Sequence, residues 1–218
     1  MALHHVLNDA EFEVIELMTT INSDVERISM HGVRRTMLER QVNAIDLPLS
    51  VISLPGEISM EAYDKLMKRE LERVCSKGIT HSVFGDIFLE DLRHYREKRL
   101  KEVGLKGHFP LWKRDTTEII REFLSLGFRT MVLAVDGSKL DKSFAGRELD
   151  LDFLKDLPSD VDPCGENGEF HTYVFDGPIF QQPVEFERGE VIGKDYKLSQ
   201  NGHEKVTYWF QDLLPKEV

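Results

Sequence analysis

The sequence predicts an α/β protein with a doubly wound, mostly parallel sheet and a small β-rich C-terminal portion. Two observations carry this. Between residues 13 and 137, short β-branched runs alternate with longer runs at helical spacing, the order that builds βαβ crossovers. Arg129–Gly137, RTMVLAVDG, is apolar on both faces, as expected of a central parallel strand. Beyond residue 160 the helical periodicity fades. Lys194–Leu198 and Val206–Phe210, joined across Asn201-Gly202, then predict a closing β-hairpin.

Taken in order, Ala2–Leu7 reads as the last turns of a helix whose beginning is absent, and Glu13–Thr20 as the first strand. A helix starts near Gly32, where Val33, Met37, Leu38 and Val42 recur at helical spacing. Leu47–Leu54 is a short strand closed by Pro55-Gly56, and Ser59 caps a helix running to about Lys77. Gly78 stops it, and Thr80–Phe84 is a strand ending at Gly85-Asp86. Phe88–Val103 is a charged amphipathic helix, His108–Trp112 a short, mostly apolar segment, and Thr116–Leu126 a helix with Ile119, Ile120, Phe123 and Leu124 as its buried stripe. Leu151–Leu157 is a short helix ended by Pro158, followed by strands at His171–Phe175 and Val184–Glu187. The domain expectation is a nucleotide-binding α/β domain over residues 1–160 and an acidic loop with β-rich remainder over 161–218.

Composition limits the function classes. A chain of 218 residues with 41% hydrophobic and 31% charged residues is long enough for a full core and globular in character. A formal net charge of −11 argues against a phosphate-backbone binder, so nucleic acid is not an expected partner, and neither is a membrane. Two cysteines, Cys75 and Cys164, are too few for a disulfide framework or zinc cluster and point to the reducing cytoplasm. The N-terminus shows no basic leader, which argues against export.

Chemistry concentrates in Asp162–Thr172, DPCGENGEFHT. Gly165 and Gly168 tolerate positive φ, so the segment can fold tightly and gather Glu166, Asn167, Glu169 and His171 in a small volume. An acidic solvated turn ahead of a strand is the plain alternative. Glu–His pairs at this spacing can bind a metal, but no third ligand accompanies them, so no metal site is expected. Arg147, in a glycine-containing linker, suits an anion, with a surface salt bridge as its ordinary alternative.

SMHGVR (29–34), FGDIFLEDLRHYRE (84–97), FPLW (109–112), FAGRELD (144–150) and DPCGENGEFHTYVFDGP (162–178) occur in an order and spacing that resemble one family. It is the diphthine–ammonia ligase group of the PP-loop (N-type) ATP pyrophosphatases, on the Rossmann-like adenine nucleotide α-hydrolase fold. The resemblance implies ATP with Mg²⁺ as cofactors, a carboxylate-bearing substrate that is a small molecule or modified protein, and amide formation through an acyl-adenylate with release of AMP and pyrophosphate. It assigns Ser29, Met30, His31, Gly32, Gly85 and Asp86 to the nucleotide. It gives Glu166, Glu169 and His171 to catalysis at the ammonia side, and Arg147, Asn167, Gly168 and Thr172 to the acceptor.

The sequence departs from the family at its phosphate-gripping loop. The Ser-Gly-Gly-x-Asp-Ser pattern and the central strand before it are expected just ahead of Met1, and no Gly-Gly pair occurs anywhere. The alternative reading is therefore a non-catalytic nucleotide-sensing or interaction protein on the same sheet. Homodimer formation is left open.

Overall fold

Helices and strands alternate through the first half of the chain and give way to long antiparallel strands in the second. The computed structural model describes residues 1–29, 31–197 and 205–216. The order is α1 (Ala2–Leu7), β1 (Leu17–Asn22), α2 (Arg35–Ile45), β2 (Leu49–Leu54), α3 (Met60–Ser76), β3 (His81–Val83), α4 (Glu90–Glu102), β4 (Lys106–His108), α5 (Thr116–Ser125), β5 (Arg129–Asp136), α6 (Leu151–Asp156), β6 (Phe170–Asp176), β7 (Phe186–Lys197) and β8 (Lys205–Pro215). These elements form two compact units. The first holds residues 1–24 and 47–115, the second residues 25–46 and 116–218. The expected boundary near residue 160 falls inside the second unit.

In the first unit β1 pairs with β2 and β3 with β4, both parallel, as two separate two-stranded sheets. The helix ends follow local chemistry. Ser59 Oγ accepts the Ala62 N–H at 3.2 Å to start α3, and Gly78, at φ +84°, lets the chain leave it. On α4, Glu90 and Asp91 sit in the first turn and Arg99 and Lys101 near the last, complementing the helix dipole. Leu71, Val74, Leu100 and Leu105 form the buried cluster under these helices. A cavity of about 810 Å³ is lined by β1 and β3 together with Ala2, Phe12, Met67 and Val74.

The second unit is built on an antiparallel sheet ordered β6-β5-β8-β7. The expectation for β5 is corrected here: the strand is central, but it runs antiparallel to both neighbours. Its residues Thr130 to Val135 are buried because both faces of this sheet are covered. An apolar run reports two-sided burial and leaves the direction of the neighbouring strands undetermined. On β6, the Tyr173 hydroxyl donates to the Met37 carbonyl at 2.8 Å and Gln41 Nε2 to the Val174 carbonyl at 2.6 Å. These bonds bring α2 into this unit although it lies between β1 and β2 in the chain. Phe144, Phe153 and Phe170 make successive edge-to-face contacts at 5.4 and 5.6 Å.

The expected strands Val184–Glu187 and Lys194–Leu198 are parts of one long strand, β7, while Val206–Phe210 lies within β8, and β7 and β8 pair from Phe186↔Pro215 to Lys197↔Lys205. The expected turn at Asn201-Gly202 lies outside the described residues. β4 has no counterpart among the expected strands, since Lys106-Gly107 has weak strand propensity. Gly107 is needed there because a Cβ would stand 2.7 Å from the Phe109 ring. Among the described residues no helix is long and apolar enough to cross a membrane, and Cys75 and Cys164 form no disulfide.

Candidate functional site

The acidic loop is organised by two carboxylates that point inward. Asp162 Oδ1 accepts the N–H of Cys164 at 2.8 Å and that of Glu166 at 3.3 Å, an Asx turn that starts the loop. Gly165 and Gly168 adopt φ +69° and +84°, as their positions suggested, and at Gly165 a Cβ would lie 2.7 Å from the Phe170 carbonyl oxygen.

Glu169 is only 3% exposed. Its Oε1 accepts the Asp162 N–H at 3.1 Å and Asn167 Nδ2 at 3.0 Å, while Oε2 accepts the Asn167 N–H at 3.0 Å. Burial works to raise its pKa, yet the hydrogen bonds from Asn167 and the Asp162 backbone prevail and hold it below the usual carboxylate value. Glu169 therefore fastens the loop as an anion, and it also carries Asn167. Glu166 and Asn167 ride on the turn so fixed, with Asn167 exposed and Glu166 half-buried. The Glu169 carbonyl accepts the Asp136 N–H at 2.9 Å, tying the loop to the end of β5.

His171 sits opposite Ala134 of β5, and Thr172 opposite Val132. The His171 ring lies 4.4 Å from the ring of His31, so two positions 140 apart in sequence meet at one place. Burial first, then the neighbouring His31, lowers the His171 pKa to about 4, which leaves a neutral imidazole at physiological pH.

The turn that delivers His31 is held from β8. The Ile28 N–H donates to the Val33 carbonyl at 2.8 Å and the His31 N–H to the Ser29 carbonyl at 2.7 Å. Gly32 takes φ +71°, with the Phe210 ring 3.1 Å from where a Cβ would stand. Arg27 Nη1 donates to the Gly32 carbonyl at 2.6 Å and to Asp212 Oδ1 at 2.9 Å, and Arg34 Nη2 to Asp212 Oδ2 at 2.5 Å. Burial opposes ionisation of Asp212, but Arg34 and Arg27 outweigh it and lower its pKa. Met30 lies outside the described residues.

The remaining expected positions have other surroundings. Asp86, in the first unit, faces Arg96, with Oδ2 2.9 Å from Nε in an angle that makes no hydrogen bond and Oδ1 accepting Nη2 at 3.3 Å. Burial raises the Asp86 pKa in spite of Arg96. Gly85 lies in ordinary contact with Ala2, 3.8 Å from a built Cβ. Arg147 pairs with Asp156 at 2.8 Å and lies over the Phe144 and Phe153 rings at 5.2 and 5.3 Å. Among the described residues no three His, Cys, Asp or Glu side chains converge to hold a metal ion.

Two family models match this chain. The diphthamide synthase N-terminal domain covers residues 1–107 and the diphthamide synthase C-terminal domain residues 115–207. The chain belongs to the diphthine–ammonia ligase-like family. It is similar to the diphthine–ammonia ligase of Homo sapiens, 30% identical over 172 residues, 77% of this chain and 62% of that protein. It is also similar to that of Schizosaccharomyces pombe, 22% identical over 184 residues, 78% of this chain and 30% of that protein. The Danio rerio relative is 31% identical over 139 residues, 61% of this chain and 53% of that protein. The chain thus spans less than two thirds of these relatives.

Two residues of this site carry no signal of their own in the sequence, Tyr208 and Phe210, which read only as hairpin residues, whereas Asp136 stands at a strand end where ligands are expected. Phe210 stands opposite Ala134 and Tyr208 opposite Asp136, and the Tyr208 hydroxyl donates to Asp136 Oδ2 at 3.1 Å. The period-two spacing of Tyr208, Phe210 and Asp212 was the available signal that one face of the hairpin is shared with the site.

Proposed function

We propose that this diphthine–ammonia ligase-like chain carries the acceptor half of an ATP-dependent ligase that joins a carboxylate to ammonia through an acyl-adenylate, releasing AMP and pyrophosphate. The observation that supports it best is the acidic loop, in which buried, ionised Glu169 holds Asn167 and Asp162 holds Glu166, leading directly into the strand whose His171 ring meets His31. In this reading Glu166 attracts ammonium and accepts its proton, since a carboxylate does both. Neutral His171 lies beside the reacting acyl group as a hydrogen-bonding partner that adds no charge, and Glu169 is a positioning residue. Asn167, Gly168 and Thr172 orient the acyl group. Arg147, half-buried and paired with Asp156, joins them by giving up that partner.

Ser29, Met30, His31 and Gly32 take the nucleotide side within the second unit; Gly85 and Asp86, in the first unit, are assigned to the nucleotide by the family resemblance alone. Mg²⁺ arrives with the ATP phosphates, the usual mode for a hard ion that keeps several waters. The substrate carboxylate is that of diphthine on a protein, by analogy with the relatives' name, and the location is cytoplasmic.

The test is to incubate the protein with Mg–ATP, ¹⁵N-ammonium and a diphthine-bearing protein and to follow nucleotide and nitrogen. AMP, pyrophosphate and ¹⁵N in the acceptor are expected, with Glu166→Gln reducing the rate by about 10²-fold or more. ADP with phosphate overturns the adenylate route. ATP binding by calorimetry without turnover on any carboxylate favours the nucleotide-sensing alternative.

A further inference from the structure

Two of the motifs read in the sequence, at 84–97 and 109–112, meet at a place that the ligase reading does not use. A cavity of about 310 Å³ lies between the first turns of α4 and the turn after β4, lined by Glu90, Arg93, His94, Glu97, Trp112 and Lys113, all of the first unit. Both walls follow the carboxyl ends of the parallel strands β3 and β4 in the chain, the side on which such sheets take their ligands.

The walls are fixed by the protein itself. Arg93 lays its guanidinium against both the Phe109 and the Trp112 ring, 4.6 and 4.5 Å from their centres. Lys113 takes φ +59°, a left-handed conformation uncommon for a lysine, and its N–H donates to the Ile87 carbonyl at 2.7 Å. That strained turn holds Trp112 and Lys113 against the cavity, and strain of this kind gathers at ligand sites.

Charge decides the class of ligand. The charged groups are matched in pairs: Lys113 Nζ stands 2.9 Å from Glu90 Oε1, and Arg93 Nε donates to Glu97 Oε1 at 2.8 Å. An anion here competes with Glu90 and Glu97, and a cation with Arg93 and Lys113, so either ion gains only by breaking a pair already made. A neutral hydroxyl breaks none. It donates to the second oxygen of either acid and accepts from Arg93 Nη1 or Nη2, adding to the pairs that exist. Trp112 supplies a flat apolar wall for the C–H face of a ring, and the volume lies at the small end of ligand pockets, which limits the occupant to about one ring.

We propose that this cavity binds a neutral polyhydroxylated ring of monosaccharide size, with Trp112 as its platform and Glu90, Glu97 and Arg93 bonding its hydroxyls. The site lies wholly within the first unit, and the inference is independent of the ligase reading.

The experiment titrates the protein with D-glucose and, separately, with D-ribose, and follows the indole N–H of Trp112 by NMR, with sodium acetate and ammonium chloride as ionic controls and adenosine as a nucleoside control. Saturable shifts of that signal, with a dissociation constant on the order of 1 mM, are expected for at least one of the sugars and for neither salt. Glu90→Gln, at an exposed side chain that leaves the fold intact, should weaken sugar binding about tenfold, and Arg93→Lys, which keeps the charge but loses the fork, by a similar factor. Absence of saturation with both sugars, an equal response to either salt, a tighter response to adenosine than to ribose, or unchanged sugar affinity in Glu90→Gln each overturn the proposal.

Discussion

His171 shows how a single side chain reports its surroundings. Its pKa, lowered to about 4 by burial and by His31, lies below the ordinary histidine value of 6.5. Below pH 6.5 the unfolded chain takes up a proton that the folded one refuses. The stabilisation from this residue is thus complete above about 6.5 and is lost as pH falls toward about 4. A loss on the order of 2 kcal/mol at pH 5 relative to pH 8 is expected in urea unfolding followed by tryptophan fluorescence, and His171→Gln should flatten that slope. An equal slope in wild type and variant would place the titration elsewhere. Asp212 is the complementary case. Asp212→Ala strands Arg27 and Arg34 beside each other, with an expected cost of about 1–3 kcal/mol and loosening of the turn that bears His31. Amide exchange at Ile28 and Gly32 reads that loosening directly.

At the scale of elements, the acidic loop separates two kinds of glycine. Gly165→Ala meets both a left-handed backbone and the Phe170 carbonyl, whereas at Gly168 no heavy atom lies within 4 Å of a built Cβ. The left-handed conformation alone costs about 1–2 kcal/mol, so Gly168→Ala should stay in that range and Gly165→Ala exceed it. Comparable urea midpoints for the two variants would contradict the steric account. The glycines were legible in DPCGENGEFHT because backbone freedom is a property of residue type. The division of labour between the glutamates was not, since Glu166 and Glu169 look equivalent in sequence and only the fold decides which one turns inward. The same limit explains β5, whose apolar run gave its burial and position but left its direction open, and β4, where Gly107 answers to the Phe109 ring rather than to strand propensity. Tyr208 and Phe210 needed the β5–β8 register, which joins residues about 75 positions apart.

At the scale of the molecule, the alternation of elements correctly indicated an α/β chain with parallel pairs and a β-rich remainder, and the family motifs were readable in order. The partition into units was less accessible, because α2 lies between two strands of the first unit yet bonds to β6 through Gln41 and Tyr173. No local pattern announces that exchange. The two parallel pairs of the first unit have a material consequence. Each of β1 and β3 has one paired neighbour among the described residues, and both line the same cavity. Among the described residues their other edges have no strand partner, and an unpaired edge presents N–H and C=O groups to any extended chain. Concentrated solutions of the protein should therefore form higher-order species through these edges, seen as a rising weight-average mass in light scattering and as thioflavin fluorescence. Thr19→Lys, a charge set on the β1 edge, should suppress both, making shelf life a property of two strand edges that have no partner among the described residues.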